Sequence, residues 1–219
     1  VKCCTQNGVR GGSATVHFPI WHQEIEDILV LKNNKGTEDN RVRKLDYSIQ
    51  LSKLFYERFI NNEDITLFSP HEVPELYEAW GTDEFDDLYL KAERKISVKK
   101  TKVNAQELFF DMLKERAETG RIYIMNIDHC NTHSSFKDRV TMSNLCQEIT
   151  LPTDPIQHID GKGEIALCIL SAINVGKISD VSDLEPLCEL AVRSLDEIID
   201  HQKYPVKAAE ISTKARRSL

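Results

Sequence analysis

A chain of 219 residues, 41% hydrophobic and 29% charged, has apolar content for one sizeable core or two small ones. Its formal net charge of -7 argues against a nucleic-acid groove and an anionic membrane surface, but not against a nucleotide ligand, whose phosphates need only a few local donors. No apolar run approaches the length of a membrane span and no signal-peptide pattern opens the chain, so a cytoplasmic protein is expected, with its six cysteines as reduced thiols.

Residues 4–13 read as a glycine-rich loop. From Trp21, the apolar positions Ile25, Ile28 and Leu29 recur at helical spacing and predict a helix over 20–31. Residues 32–43 are polar and turn-rich. Tyr47, Ile49 and Leu51 alternate as in a strand, and a helix follows through Phe59. Ile65 to Phe68 is a short β-type run, closed by Ser69-Pro70 and followed by a helical segment from Val73 to Trp80. The acidic stretch Asp83 to Asp87 and the basic run Lys99 to Lys102 read as solvated faces.

Two helices carry the strongest signals. Asn104 with Glu107 forms a capping pattern ahead of Ala105, Leu108, Phe109, Met112 and Leu113, and Gly120 stops the helix. Ser182 with Glu185 repeats the pattern ahead of Leu184, Leu187, Cys188, Ala191, Leu195 and Ile198. Between them, 122–127, 145–151 and 165–170 are strand candidates. Alternating strands and helices indicate an α/β architecture. Both ends, Val-Lys-Cys-Cys and Lys-Ala-Arg-Arg-Ser-Leu, read as cuts in a larger protein.

Four groups could carry chemistry. In Asn144-Leu145-Cys146-Gln147-Glu148, an extended backbone would put an amide, a thiol and a carboxylate on one face; the alternative is a buried structural thiol. Cys168 follows in an apolar strand candidate and, alone, reads as core. The segment Gln6-Asn7-Gly8-Val9-Arg10-Gly11-Gly12 offers a mobile backbone and an arginine able to stack on a base or pair with a phosphate, but it is neither a Walker loop nor a dinucleotide fingerprint; otherwise it is a surface loop. Asp128-His129-Cys130-Asn131-Thr132-His133 admits a metal-site or metal-dependent nuclease reading. It lacks a second ligand pair of recognisable spacing, so polar residues bonding a loop at a strand end is the simpler account. Adjacent Cys3 and Cys4 read as plain thiols.

Taken together, these segments resemble the large subunit of class I ribonucleoside-diphosphate reductase. The match is carried by Gln6 to Gly12, Leu29 to Gly36, Asn40-Arg41-Val42-Arg43 with Asp46-Tyr47, Glu63 to Pro70, Thr119 to Tyr123, Asp128 to Ser134, Ser143 to Ile149 and Gly163 to Cys168. Their order and spacing are more specific than any one motif. The resemblance implies that residues 1–219 are part of a ten-stranded α/β catalytic barrel, truncated at both ends. A specificity loop would lie near 4–13 and a central finger loop near 141–150.

The resemblance further implies thiyl-radical reduction of ribonucleoside diphosphates to deoxyribonucleoside diphosphates. Cys146 would be the radical thiol, Glu148 the base at the 3′-hydroxyl, and Asn144 the amide toward the ribose. Cys168 would be one half of the redox pair, its partner outside the chain. Gln6 and Arg10 would pass effector information to the substrate base. No metal or cofactor is expected in this segment. A small subunit with a di-iron tyrosyl radical, thioredoxin or glutaredoxin as reductant, a second large subunit and the complementary pieces of the large subunit are the implied partners, with nucleotide effectors bound mainly elsewhere. The isolated chain is not expected to complete the reaction; a structural piece of a split or truncated reductase is the alternative. Asn7 departs from the family pattern, which has glycine there.

Overall fold

The structure, a computed structural model, describes residues 5–158 and 162–219. The chain separates into two compact units, residues 1–150 and 151–219.

The first unit opens with an antiparallel hairpin of β1 (Thr5–Gln6) and β2 (Arg10–Gly11). Asn7 at its tip has φ 51°. Asparagine is among the few side chains that tolerate this left-handed conformation. Next come β3 (Thr15–Pro19), α1 (Ile25–Leu29), β4 (Asp46–Leu51) and α2 (Lys53–Asn61). After these come β5 (Asp64–Phe68), α3 (Pro74–Ala79), α4 (Phe85–Arg94) and β6 (Lys100–Asn104). The unit continues with α5 (Ala105–Thr119), β7 (Tyr123–Asn126) and α6 (Ile127–Thr132).

Among the described residues, β3, β4 and β7 form a parallel sheet with β4 in the centre. A single parallel bridge from His22 to Phe68 brings β5 alongside. The sheets do not close into a barrel over the described residues, but the α/β character expected from the alternation is present.

The register divides the sheet into two unlike faces. Phe18, Tyr47, Ile49 and Leu51 lie on one face, and Thr15, His17, Ser48 and Gln50 on the other. The apolar face joins the core with Phe55, Leu108 and Met112. Deeper in the same core, Trp80 packs edge-on against Trp21 and Phe85, with ring centroids 5.9 and 4.5 Å away. Ser48 and Gln50 are also buried, so their polar face must be covered by groups that can hydrogen-bond it.

Several expectations need correction. The helix predicted over 20–31 shortens to Ile25–Leu29, because Thr15–Pro19 is a strand and the chain turns after it. The acidic stretch at 83–87 is solvated as expected, with Asp83, Glu84 and Asp87 exposed; it also opens α4, whose Phe85, Tyr89 and Ala92 are buried at helical spacing while Asp86 and Asp87 suit its N-terminal dipole. The basic run 99–102 enters β6, paired antiparallel with β5. There the Lys100 ammonium donates to the carbonyls of Glu93 and Lys95 at 2.6 and 2.8 Å, capping the end of α4. The α5 boundaries agree with expectation: Asn104 Oδ1 accepts from the amides of Gln106 and Glu107 at 3.0 and 3.1 Å, and Gly120 takes the left-handed φ of 64°.

In the second unit, β8 (Asp154–His158) pairs antiparallel with β9 (Lys162–Glu164), followed by α7 (Leu184–His201) and α8 (Lys207–Arg216). Gly163 has φ 108°, and a Cβ there would come within 2.5 Å of the Pro155 carbonyl oxygen, so glycine is required. The strand expected at 165–170 does not form; the ladder ends at Glu164. Instead this stretch is tied to α8 and the residues after it: Ser212 donates to the Ile165 carbonyl at 2.6 Å, and the Ile169 amide to the Ser218 carbonyl at 3.1 Å. The expected Ser182 cap is also replaced. Asp180 Oδ1 accepts from the Ser182 amide at 2.9 Å in a 3-10 turn that precedes α7. Of the α7 stripe, Leu187 and Ile198 are exposed, and it is Ile199 that is buried. No described helix is long and apolar enough to cross a membrane.

Candidate active site

The polar face of the β3-β4-β7 sheet is covered by residues 141–150, a segment without regular helix or strand. Four hydrogen bonds fasten it. Gln50 Nε2 donates to the Thr141 carbonyl at 2.8 Å, and Thr15 Oγ1 to the Leu145 carbonyl at 2.5 Å. Ser48 Oγ donates to Gln147 Oε1 at 2.6 Å, and Gln147 Nε2 donates onward to the Ile124 carbonyl at 2.5 Å. All three strands of the sheet therefore hold the segment.

Within it the chain makes a tight turn. The Gln147 amide donates to the Asn144 carbonyl at 3.3 Å, which places Leu145 and Cys146 at the two corners. Asn144 Oδ1 accepts from the Ile149 amide at 3.0 Å and from Ser143 Oγ at 3.2 Å, closing the loop from inside. Gln147 sits at φ 65°. The extended geometry expected for 144–148 is thus overturned, because these residues cross the sheet without pairing to a strand and fold back on the Asn144 side chain. Asn144, Cys146 and Glu148 still belong to one short loop. Cys146 and Glu148 are exposed, and Asn144 is half-buried.

The other singled-out residues lie apart from this turn in sequence. Arg10 is exposed on β2, and Gln6 lies in β1. Cys168 is half-buried in the second unit. Cys3 and Cys4 lie outside the described residues.

The Asp128 to His133 group follows directly on the end of β7, as expected, with Asp128 to Thr132 in the short helix α6 and His133 at its C-terminal end. Its polar side chains bond backbone. Asn131 Nδ2 donates to the carbonyls of Ile127 and Val140, both at 3.0 Å, and Asp128 Oδ2 accepts from the Lys53 amide at 2.6 Å. Burial, with the Asp128 charge second, pushes the Cys130 thiol up. Among the described residues no group of three or more His, Cys, Asp or Glu is placed to hold a metal ion. A cavity of about 350 Å³ lies between α6 and the 141–150 segment, reached by His129, Cys130, Gln147 and Thr150. A second, of about 660 Å³, opens where β4 and β7 end, against Lys53, Asp86, Asp128 and His133.

Sequence reasoning passed over Thr15, His17, Ser48 and Gln50. A signal was present: Asp46, Ser48 and Gln50 alternate with Tyr47, Ile49 and Leu51, so a strand buried on both faces carries one polar face. His17 faces the same side, and both its ring nitrogens are shielded from solvent. Burial holds its pKa below the ordinary value, with the Ser143 backbone partly opposing.

Residues 1–219 match the family described as ribonucleotide reductase, barrel domain. The whole chain is 58% identical over 225 residues to the ribonucleoside-diphosphate reductase subunit alpha of Haemophilus influenzae, covering 30% of that protein. It is 55% identical over 225 residues to the subunit alpha of Buchnera aphidicola from Schizaphis graminum, and 46% identical over 227 residues to that of Enterobacteria phage T4, in each case over 100% of this chain and 30% of the relative. The chain thus spans 30% of the length of these curated relatives.

Proposed function

The chain belongs to the ribonucleotide reductase family as part of its barrel domain, and from that premise we propose that it carries the hydrogen-abstracting thiol of a ribonucleoside-diphosphate reductase at Cys146. The observation that supports this most is the turn over 144–147, pinned to three parallel strands, with an exposed thiol at its corner and an exposed carboxylate two residues on. A sulfur that attacks one C–H bond must be held in place while staying open to substrate, and it needs a proton acceptor within the same site.

On this reading the Cys146 thiyl radical takes the hydrogen atom from C3′ and becomes a thiol. Glu148 takes the proton of the 3′-hydroxyl. The 2′-hydroxyl leaves as water on taking a proton from the dithiol formed by Cys168 and a cysteine outside this chain; that pair supplies two electrons and its second proton to C2′, ending as a disulfide, and Glu148 returns its proton to the 3′-oxygen. The Cys146 thiol then returns a hydrogen atom to C3′. Asn144 has its carboxamide oxygen engaged within the loop, so Nδ2 is the group it offers to a ribose oxygen. Gln6 and Arg10 act at the base through the specificity loop near 4–13, which contains the β1-β2 hairpin.

The partners follow from the same reading. A small subunit with a di-iron tyrosyl radical supplies the oxidising equivalent. Thioredoxin or glutaredoxin reduces the disulfide, which places the reaction in the reducing cytoplasm. A second large subunit and the rest of the large subunit complete the enzyme, residues 1–219 being one stretch of its barrel with 141–150 as the finger loop.

The test is to replace Cys146 with Ser, Glu148 with Gln and Cys168 with Ser, one at a time, in the full-length reductase assayed with its small subunit and a reductant. Product formation should be abolished by Cys146→Ser. Turnover near the unsubstituted rate in that variant would sink the assignment.

A further inference from the structure

The residue next to the candidate radical thiol is held in an unusual way. Gln147 has φ 65°, a left-handed conformation that a side chain other than glycine or asparagine adopts rarely. Its carboxamide is engaged at both ends: Oε1 accepts from Ser48 Oγ on β4, and Nε2 donates to the Ile124 carbonyl on β7. Ser48 is fully buried, and Ser48 and Ile124 sit on neighbouring strands of the parallel sheet. The backbone amide of Gln147 closes the turn on Asn144. One residue therefore fixes the turn by its amide and ties it to two strands by its side chain, while the adjacent Cys146 is exposed.

We propose that Gln147 is a positioning residue for Cys146: clamped between Ser48 and the Ile124 carbonyl, it sets where the thiol stands over the substrate. The inference rests on the reading of Cys146 as the hydrogen-abstracting group. Hydrogen transfer is sensitive to donor–acceptor placement, and a displacement of about 1 Å can cost about 100-fold in rate. A group that only positions the thiol and does not touch substrate should, when lost, lower kcat and leave KM nearly unchanged.

Two variants separate positioning from folding. Gln147→Gly keeps a residue at home at positive φ and removes the clamp. Gln147→Leu removes the hydrogen bonds while keeping a side chain of similar length. In the full-length reductase with its small subunit, both should lower kcat by about 10- to 100-fold with KM within about twofold. Ser48→Ala should act in the same direction by a smaller factor. Combined with Gln147→Leu, it should cost nothing further, since the two residues share one hydrogen bond. Substrate binding by the Gly variant, measured by equilibrium titration, should match that of the unsubstituted enzyme. A Gly variant with kcat within twofold, or one in which KM rises while kcat holds, overturns the proposal, as does full additivity of Ser48→Ala with Gln147→Leu. Cys146→Ser run in parallel keeps the two readings apart. If it stays active, the assignment of Cys146 falls; if it is inactive while Gln147→Gly is unimpaired, only the positioning role falls.

Discussion

Trp80 donates its indole N–H to Gln50 Oε1 at 2.7 Å, and Gln50 passes the connection on, donating from Nε2 to the Thr141 carbonyl at 2.8 Å. A tryptophan of the aromatic core, the central strand of the parallel sheet and the start of the 141–150 segment are thereby joined through one buried carboxamide. Replacing Gln50 with Leu leaves a buried indole N–H without its acceptor. The expected loss is about 1–3 kcal/mol of stability, with faster amide exchange in 141–150 than in α5. Urea unfolding and hydrogen exchange measured on the same protein check both. An unchanged midpoint with unchanged exchange would contradict the linkage.

A second prediction concerns Arg58 on α2 and Glu93 on α4, a largely buried ion pair at 2.6 Å that also receives Thr66 Oγ1. Burial alone would raise the Glu93 carboxyl, but hydrogen bonds from Arg58 and Thr66 and the Arg58 charge hold it below the ordinary value of 4.5. A depressed folded pKa means that the pair's contribution is complete above pH 4.5 and is lost as pH falls through the lower folded value. Glu93→Gln should flatten that part of the stability profile. Arg58→Ala, which leaves a carboxylate buried alone, should cost about 3 kcal/mol. Urea midpoints between pH 7 and pH 3 provide the comparison.

The third prediction runs through His17, under the 141–150 segment. Burial lowers its pKa from 6.5, with the Ser143 backbone partly opposing. The unfolded chain therefore takes up the proton first as pH drops below 6.5, and stability falls until the lower folded value is passed. Above 6.5 this residue leaves stability independent of pH. His17→Phe should remove that share of the slope, read as a smaller change in melting temperature between pH 7.5 and pH 5 than in the unsubstituted protein. Equal slopes would show that His17 is not the titrating group.

Much of the first unit was legible in the sequence where a local pattern met its physical cause. The α5 boundaries could be read because Asn104 and Gly120 act within one turn of the helix they end. Strand β4 could be read from Tyr47, Ile49 and Leu51. What stayed hidden depended on distant partners. Lys100 looked solvated because its acceptors are carbonyls at the end of another helix. The 145–151 stretch looked extended because nothing local shows that Thr15 and Ser48, 130 and 99 positions away, will hold it as a turn. The roles given to Asn144, Cys146 and Glu148 rest on motif resemblance, and the extended geometry expected for them is replaced by a turn. The polar face beneath them is legible in Ser48 and Gln50, which alternate with the apolar positions of β4.

A fourth prediction concerns the cap of α5. Asn104→Ala removes the acceptor of two helix-terminal amides and should destabilise the protein by about 1 kcal/mol, while Asn104→Asp should restore most of it. A thermal melt of the three proteins decides this, and an alanine variant as stable as the original would show that the cap contributes nothing.

The central claim is that the Cys146 sulfur removes the hydrogen at C3′. Its most direct test is to incubate full-length reductase, small subunit and reductant with a ribonucleoside diphosphate carrying hydrogen or deuterium at C3′, and to follow deoxynucleotide formation in the unsubstituted enzyme and in Cys146→Ser. The expected result is slower turnover of the deuterated substrate in the first and, in the second, no product above that seen without the small subunit. Product formation by Cys146→Ser at the unsubstituted rate, with the same isotope effect, would contradict the assignment of this residue.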